Sequence, residues 1–310
     1  MAQKCLSFDF IDDYITVPSS DSLNLGTDDI TIEMWIKRNT DNLGGQQWLY
    51  KKRGAVAGAT KWFNLYFQTN NYILATITDN YEVNGYKTFV SSSAITDSNW
   101  HYVVAVFDRD GNGTLYVDNV AGTPLDISAV SGSVSNTADA LIGAYSTTIR
   151  SFDGLIDEVR ISNIARGSDE ISAIWNGGNG VQFEVDANTV ALWHMNEGSA
   201  GTIYDETNND NDGTIHGASW TDGYDFLTSH PTSSDAGSGL DVSTLSEVFF
   251  SADSGVGLGA LAALLAVINT SEVSSGSDRL RAKIESATAG GDVKLPPGGQ
   301  ASIPSRKVGI

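Results

Sequence analysis

The chain has 310 residues and a mass of 33.0 kDa, enough for one large β domain with an appendage or for two domains. Eighteen Lys and Arg against 38 Asp and Glu give a net charge of -20, which excludes nucleic acid and anionic membrane surfaces as expected partners. A hydrophobic fraction of 41% with mean hydropathy -0.14 describes a folded chain rather than a disordered one, and 32 Gly with only 18% charged residues suggest many turns.

Taken in chain order, residues 1–222 alternate apolar and polar in short runs separated by Gly, Asn, Asp and Ser. Such runs occur at 7–10, 14–17, 30–36 (ITIEMWI), 62–67 (WFNLYF), 72–77, 101–107 (HYVVAVF), 114–117, 141–145, 154–161 (GLIDEVRI) and 190–195 (VALWHM). They are rich in aromatic and β-branched residues and predict strands. Asp110-Gly111-Asn112-Gly113 between two of them predicts a hairpin. Strands at this spacing, without an intervening helical period, predict an all-β, two-sheet antiparallel sandwich. One short helix is expected, with Ser168 as N-cap before Asp169-Glu170-Ile171 and an end at Gly177-Gly178.

From residue 223 the composition shifts to Ser, Gly and Ala. Residues 223–239 read as a linker and 240–310 as a small C-terminal extension. A weak repeat of 18–19 residues runs through DAGSGLD (235–241), DSGVGLG (253–259) and EVSSGSD (272–278). The end, 294–310, carries Lys294, Arg306, Lys307 and three prolines but no acid, and is expected to act as an assembly arm. The acidity is concentrated in the first part: residues 1–222 hold 12 basic and 29 acidic residues (net -17), the remainder 6 and 9 (net -3).

Cys5 is the sole cysteine, so no intrachain disulfide forms. The start, MAQKCLSFDF, lacks the basic-then-apolar pattern of a secretory signal. The longest apolar run, 256–268, is too short to cross a bilayer, so no membrane insertion is expected. These features point to synthesis in a cytoplasm and, for a protein acting outside cells, release with assembled virus particles.

Several segments together resemble the concanavalin A-like, laminin-G-like jelly-roll family. They are SFDFIDDYITVPSSDSLNL (7–25) with DITIEMWIK (29–37), NWHYVVAVFDRDGNGTLYVDN (99–119), IGAYSTTIRSFDGLIDEVRISNIAR (142–166) and ALWHMNEGSAGTIYDETNNDNDGTIHGASW (191–220). The resemblance covers about 1–222 and implies a jelly-roll sandwich in which Trp35, Trp100 and Trp193 fill the space between the sheets. It also implies a structural Ca²⁺ on the outer sheet surface, held by Asp157 with Asp12 or Asp13; a second acidic group, Asp205, Asp210 and Asp212, lies in an Asn-rich loop. Trp48, Trp62 and Tyr66 are the candidates for stacking on sugar rings.

The family includes glucanases, which place carboxylates at alternate strand positions facing the sugar. The nearest string here, Asp157-Glu158, is adjacent, and adjacent strand residues are expected to face opposite ways. His101, His194, His216 and His230 show no metal or triad spacing. The expectation is therefore a non-enzymatic virion structural and adhesion protein, a decoration, tail or fibre component of a tailed phage. It would associate with other virion proteins or with itself and display the jelly roll to host-surface glycans. The alternatives are a lectin-like protein at a cell surface or outside the cell and, second, a glycoside hydrolase.

Overall fold

The structure, a computed structural model, describes residues 3–39, 44–53, 60–147 and 149–226. The chain divides into two units, Met1–Asp235 and Ala236–Ile310; the account below is of the first. Residues 227–239 of the expected linker, the repeat at 235–278 and the arm residues Lys294, Arg306 and Lys307 lie outside the described residues.

The strands are β1 (Lys4–Asp9), β2 (Tyr14–Val17), β3 (Ile30–Arg38), β4 (Gln47–Lys52), β5 (Trp62–Phe67), β6 (Ile73–Thr78), β7 (Lys87–Val90), β8 (Trp100–Phe107), β9 (Asn112–Val117), β10 (Val120–Ala121), β11 (Leu125–Asp126), β12 (Ala140–Ile142), β13 (Ala144–Ser146), β14 (Ile149–Ser151), β15 (Asp153–Ser162), β16 (Thr189–Trp193), β17 (Thr202–Ile203), β18 (Gly213–His216) and β19 (Ser219–Asp222). The helices are α1 (Tyr81–Asn84) and α2 (Ser168–Trp175). One antiparallel sheet runs β10-β9-β8-β3-β15-β1-β19, with β11 beside β9 and β16 beside β15; a second runs β17-β18-β2-β12-β4-β5-β6-β7. The two form the expected jelly-roll sandwich. Each expected strand segment overlaps one of these strands, and the 108–111 turn joins β8 to β9 through the Gly111 N–H on the Asp108 carbonyl.

Period-2 alternation decides the packing. Ile30, Ile32, Met34 and Ile36 of β3 face inward and meet Phe63, Leu65 and Phe67 of β5 and Ala75 and Ile77 of β6 in one core cluster. Trp193 lies in this cluster, as expected. Trp35 does not. It sits on the opposite face of β3, in a second cluster with Tyr102, Val104, Ile171, Phe183, Leu192 and Phe226, and Trp100 packs at its margin. The expectation that Trp35 and Trp100 fill the inter-sheet space is thereby corrected. Their strand positions are one residue out of phase with the inward Met34/Ile36 and His101/Val103 steps, so alternation sends them outward.

The outer face of the nine-stranded sheet is thus capped by α2 and the residues after β19. Tyr224 stacks on Trp35 with ring centroids 4.4 Å apart, Trp175 stacks on Trp35 at 5.8 Å, and Phe226 meets it edge-on at 5.4 Å. Gly180, at φ +63, lets the chain pass this stack: a Cβ there would lie 2.9 Å from Trp35 and 2.7 Å from Tyr224. Packing therefore continues through Phe226, past residue 222 where the linker was expected to begin. Helix α2 begins after Gly167, not Ser168, because Glu170 reaches back to accept the Gly167 N–H at 2.9 Å. It ends at Asn176 in the left-handed region.

Beside this cap lies a buried ion network. Glu33 on β3, fully buried, accepts from Arg160 at 2.7–2.8 Å and from Arg166 at 3.2 Å, and the Tyr102 hydroxyl donates to its other oxygen. Arg166 also pairs with Glu170 and Asp186. Removing one partner of such a group leaves uncompensated buried charge.

Trp35→Ala is expected to cost about 3–5 kcal/mol of unfolding free energy. Urea denaturation followed by far-UV circular dichroism measures it, and a loss below about 1 kcal/mol would contradict a packing role for this ring.

Candidate functional site

The outer face of the eight-stranded sheet is built differently. The same alternation that turns Phe63, Leu65 and Phe67 inward turns Trp62, Asn64 and Tyr66 outward on β5 and Thr76 outward on β6. On β4 a register shift between Trp48 and Tyr50 lets Leu49 and Tyr50 both enter the core while Trp48 stays outside. The result is a pocket of about 220 Å³ whose walls include Trp48, Trp62 and Tyr66, the three residues expected to stack on sugars. Arg53, Tyr81, Tyr86 and Tyr145 complete the aromatic and cationic part of its wall, with Gln46, Asn64 and Thr76 supplying polar groups.

The rings are ordered by contact with one another. Trp48 and Tyr66 stack at 4.5 Å with planes 15° apart, and Tyr145 leans on Trp48 at 4.8 Å. Trp62 touches Tyr81 at 5.2 Å and carries the Arg53 guanidinium over its face at 3.8 Å. The two indoles are nearly buried, whereas Tyr81 and Tyr86 are 44% and 54% exposed. The accessible aromatic surface therefore belongs to tyrosines that strand periodicity does not reveal, since they lie in the connection between β6 and β7 that carries α1.

Two polar atoms of the wall lack a hydrogen-bond partner although buried: Trp48 Nε1 and Asn64 Oδ1. Asn64 Nδ2 donates to Thr76 Oγ1 at 3.3 Å, so its amide is held by one end only. Unmet buried groups of this kind cost about 1–3 kcal/mol each, which a ligand hydroxyl would offset. Burial, with the nearby Tyr86, raises the Tyr66 hydroxyl above its ordinary value, so it stays protonated and can donate. Lys51, whose ammonium donates to the Tyr145 carbonyl, is pulled down to about 8 by burial and by the neighbouring Arg53.

The candidate metal ligands are split by the structure. Asp12 and Asp13 join Asp9, which sequence reading did not include, in a group whose carboxylate oxygens lie within 4.8 Å of one another. Asp13 Oδ2 accepts the Asp9 N–H at 2.9 Å and Asp9 Oδ1 the Ile11 N–H at 2.8 Å, which leaves other oxygens of the group to meet a hard cation. Asp157 is elsewhere. Asp9 pairs with Asp153, four residues before Asp157 on β15, about 13 Å along the strand. Asp157 is fully buried; one oxygen accepts the Tyr224 N–H at 3.0 Å and the other has no partner among the described residues. Burial first, then the adjacent Glu158, pushes its carboxyl well above the usual range.

The expectation that Asp157 and Glu158 face opposite ways is corrected. A bulge interrupts the β3–β15 register after Asp157, and Glu158 takes φ +50. Both carboxylates consequently lie on the outer side of the nine-stranded sheet. Glu158 accepts from His194 at 2.8 Å, from the Phe183 N–H at 3.1 Å and from Gln182 at 3.2 Å. In the Asn-rich loop, Asp205 accepts from the Leu192, Thr207 and Asn211 N–H groups at 3.0–3.1 Å. That carboxylate organises its own loop.

Asp13 titrates near 6 against an ordinary 3.8, because of burial and then the adjacent Asp9 and Asp12 charges. The folded state therefore holds this proton more tightly than the unfolded chain. The corresponding stability is complete below pH 3.8 and is lost as pH rises through about 6. Asp13→Asn should flatten the stability profile across this window in metal-free buffer and be no less stable at pH 7. An unchanged slope in denaturation midpoints between pH 4 and 7 would contradict the assignment.

Comparison with known proteins agrees with this architecture. No curated protein matches the chain. Among solved structures, a Bacteroides ovatus protein provisionally described as carbohydrate binding superposes with TM-score 0.55 at 17% identity, over 71% of this chain and 60% of its own length. The chain thus spans less than two thirds of that protein. A heptameric SAP-like pentraxin from Limulus polyphemus matches at TM-score 0.46 and 12% identity over 69% and 94% of the two chains. The Ruminococcus gnavus IT-sialidase CBM40 matches at 0.43 and 15% over 56% and 97%. The family profile described as the concanavalin A-like lectin/glucanases superfamily matches residues 9–172, more than half the chain. With its two antiparallel sheets and this match, the chain belongs to the concanavalin A-like lectin/glucanase superfamily.

Proposed function

We propose that the sandwich is a non-catalytic carbohydrate-binding module and that its saccharide site is the aromatic pocket on the outer face of β4, β5 and β6. The observation that carries this reading is the convergence of Trp48, Trp62, Tyr66, Tyr81, Tyr86 and Tyr145 on one pocket whose wall also holds unmet hydrogen-bonding groups. Sugars present apolar ring faces edged by hydroxyls, and a pocket of aromatic planes with a few convergent polar groups suits both. The superfamily's lectin members and the description of the Bacteroides ovatus protein are in keeping with it.

Glycoside hydrolysis needs two carboxylates beside the scissile bond. What supports a binding role is that the pocket wall contains none and that Asp157 and Glu158 belong to the other sheet, engaged with Tyr224, Phe183 and His194. Ca²⁺ at Asp9, Asp12 and Asp13 is proposed as a structural cofactor of this module. The particle setting, with virion proteins or further copies of the chain as partners, is proposed on sequence grounds alone, from the repeat at 235–278 and the basic end at 294–310. Mass spectrometry of purified particles tests it; absence of the chain from particles would overturn it.

The exposed rings make the binding test clean. Against the tightest-binding oligosaccharide on a glycan array, Tyr81→Ala and Tyr86→Ala should each weaken affinity about tenfold by calorimetry while leaving the melting temperature within a few degrees. Unchanged affinity in both would place the site elsewhere. For the metal, 1 mM Ca²⁺ should raise the melting temperature relative to EDTA in the native chain but not in Asp12→Ala. Equal melting temperatures of the native chain in the two buffers would overturn the calcium proposal.

A further inference from the structure

The charge of the pocket is opposite to that of the protein. The chain carries -20 overall, yet the pocket wall has one charged side chain, Arg53, and no carboxylate. Arg53 makes no ion pair among the described residues; its guanidinium carbon lies over the Trp62 ring, 3.8 Å from the centroid, and no hydrogen bond engages its N–H groups among the described residues. A second cation stands next to it. Lys51 lies opposite Asn64 in the β4–β5 register, on the same outer face, close enough to Arg53 for the guanidinium to disfavour the charge on its ammonium. Lys51 spends its donors on the Tyr145 carbonyl and its cation on the Tyr145 ring at 4.4 Å, so it too has no carboxylate partner among the described residues.

In a chain with more than twice as many acids as bases, two adjacent cations without a carboxylate partner among the described residues, beside a pocket, require an explanation. Packing on Trp62 accounts for the position of Arg53 but not for the absence of an acid. A neutral sugar needs no such charge, and its hydroxyls are met by Asn64, Gln46 and the Trp48 N–H. The five-donor fork of an arginine matches a planar carboxylate in a bidentate arrangement, and its charge is screened little in a recess between rings.

Building on the carbohydrate-binding reading above, we infer that the ligand is an acidic saccharide, a hexuronic or sialic acid unit whose carboxylate is met by Arg53. Trp62 and Arg53 then act as one recognition element, the ring for the sugar face and the guanidinium for the anion. Trp48 Nε1–H adds a donor and Asn64 Oδ1 an acceptor for the remaining hydroxyls. Lys51 keeps the local potential positive without touching the ligand.

The test uses the full chain on an array carrying neutral oligosaccharides, their carboxylated counterparts (hexuronic and sialic) and sulfated ones. The tightest binder is then titrated against Arg53→Gln and Arg53→Lys, with melting temperatures recorded to show that both variants fold. Preference for carboxylated glycans is expected, with affinity reduced at least about tenfold in Arg53→Gln and less in Arg53→Lys. Preference for sulfated over carboxylated glycans would overturn the carboxylate assignment. Neutral glycans bound as tightly as acidic ones, or an unchanged Arg53→Gln, would overturn the inference while leaving carbohydrate binding intact. Binding to no glycan of any class would overturn both.

Discussion

The constraint on which everything else in this fold depends is the two-residue period of the strands. Once the inner faces of the two sheets are pressed together, every second residue of β3, β5 and β8 is committed to the core and its neighbours are committed to the outside. Two outer faces result, and the chain treats them in opposite ways. The nine-stranded sheet is closed over by α2, Phe183 and the Tyr224–Phe226 segment, which bury Trp35 and Tyr102 beside the Glu33–Arg160–Arg166 network. The eight-stranded sheet keeps a recess over β4, β5 and β6, and its outward aromatic residues line it. One face is covered by structure, and the other keeps the recess proposed here as the ligand site.

Much of this was readable in the sequence and some of it was not, for local reasons. Runs such as ITIEMWI and HYVVAVF alternate strictly and announce their strands. QWLYKK does not, yet all six of its residues are buried in β4, because Lys51 and Lys52 satisfy their ammonium groups on carbonyls of the 136–145 segment and on Ser19. Both lysines of this strand are buried, a placement that the sequence pattern does not disclose. Trp35 illustrates the converse. Its strand was evident, but its face depended on whether Met34 or Trp35 pointed inward, and both are apolar. The bulge at Glu158 is of the same kind: it lies where β15 changes partner from β1 to β16. Pairing with two successive neighbours leaves room for an extra residue that no pattern in GLIDEVRI discloses.

The candidate site shows the same division. Trp48, Trp62 and Tyr66 could be singled out as aromatic residues on or near strands, and the structure brings all three to one pocket. Tyr81, Tyr86 and Arg53 come from outside the strands, where strand periodicity carries no information, Tyr145 comes from the short β13, and only tertiary folding brings them together. The aromatic pair Tyr81 and Tyr86, at the start of α1 and just after it, was the available signal. Asp157 was a stronger motif residue than Asp9, yet its surroundings are backbone donors and Tyr224, whereas Asp9, Asp12 and Asp13 share a turn. Motif identity marks a position; the partners that the fold supplies decide what it can do there.

The central claim is that the recess over β4, β5 and β6 is where this superfamily member takes its ligand. A crystal structure of the full chain with the tightest-binding oligosaccharide measures that directly. The account predicts sugar rings against Trp62 and the Tyr81–Tyr86 pair, with an anionic group on Arg53. An oligosaccharide bound instead at the Asp9–Asp13 turn, or on the face covered by α2, would contradict it.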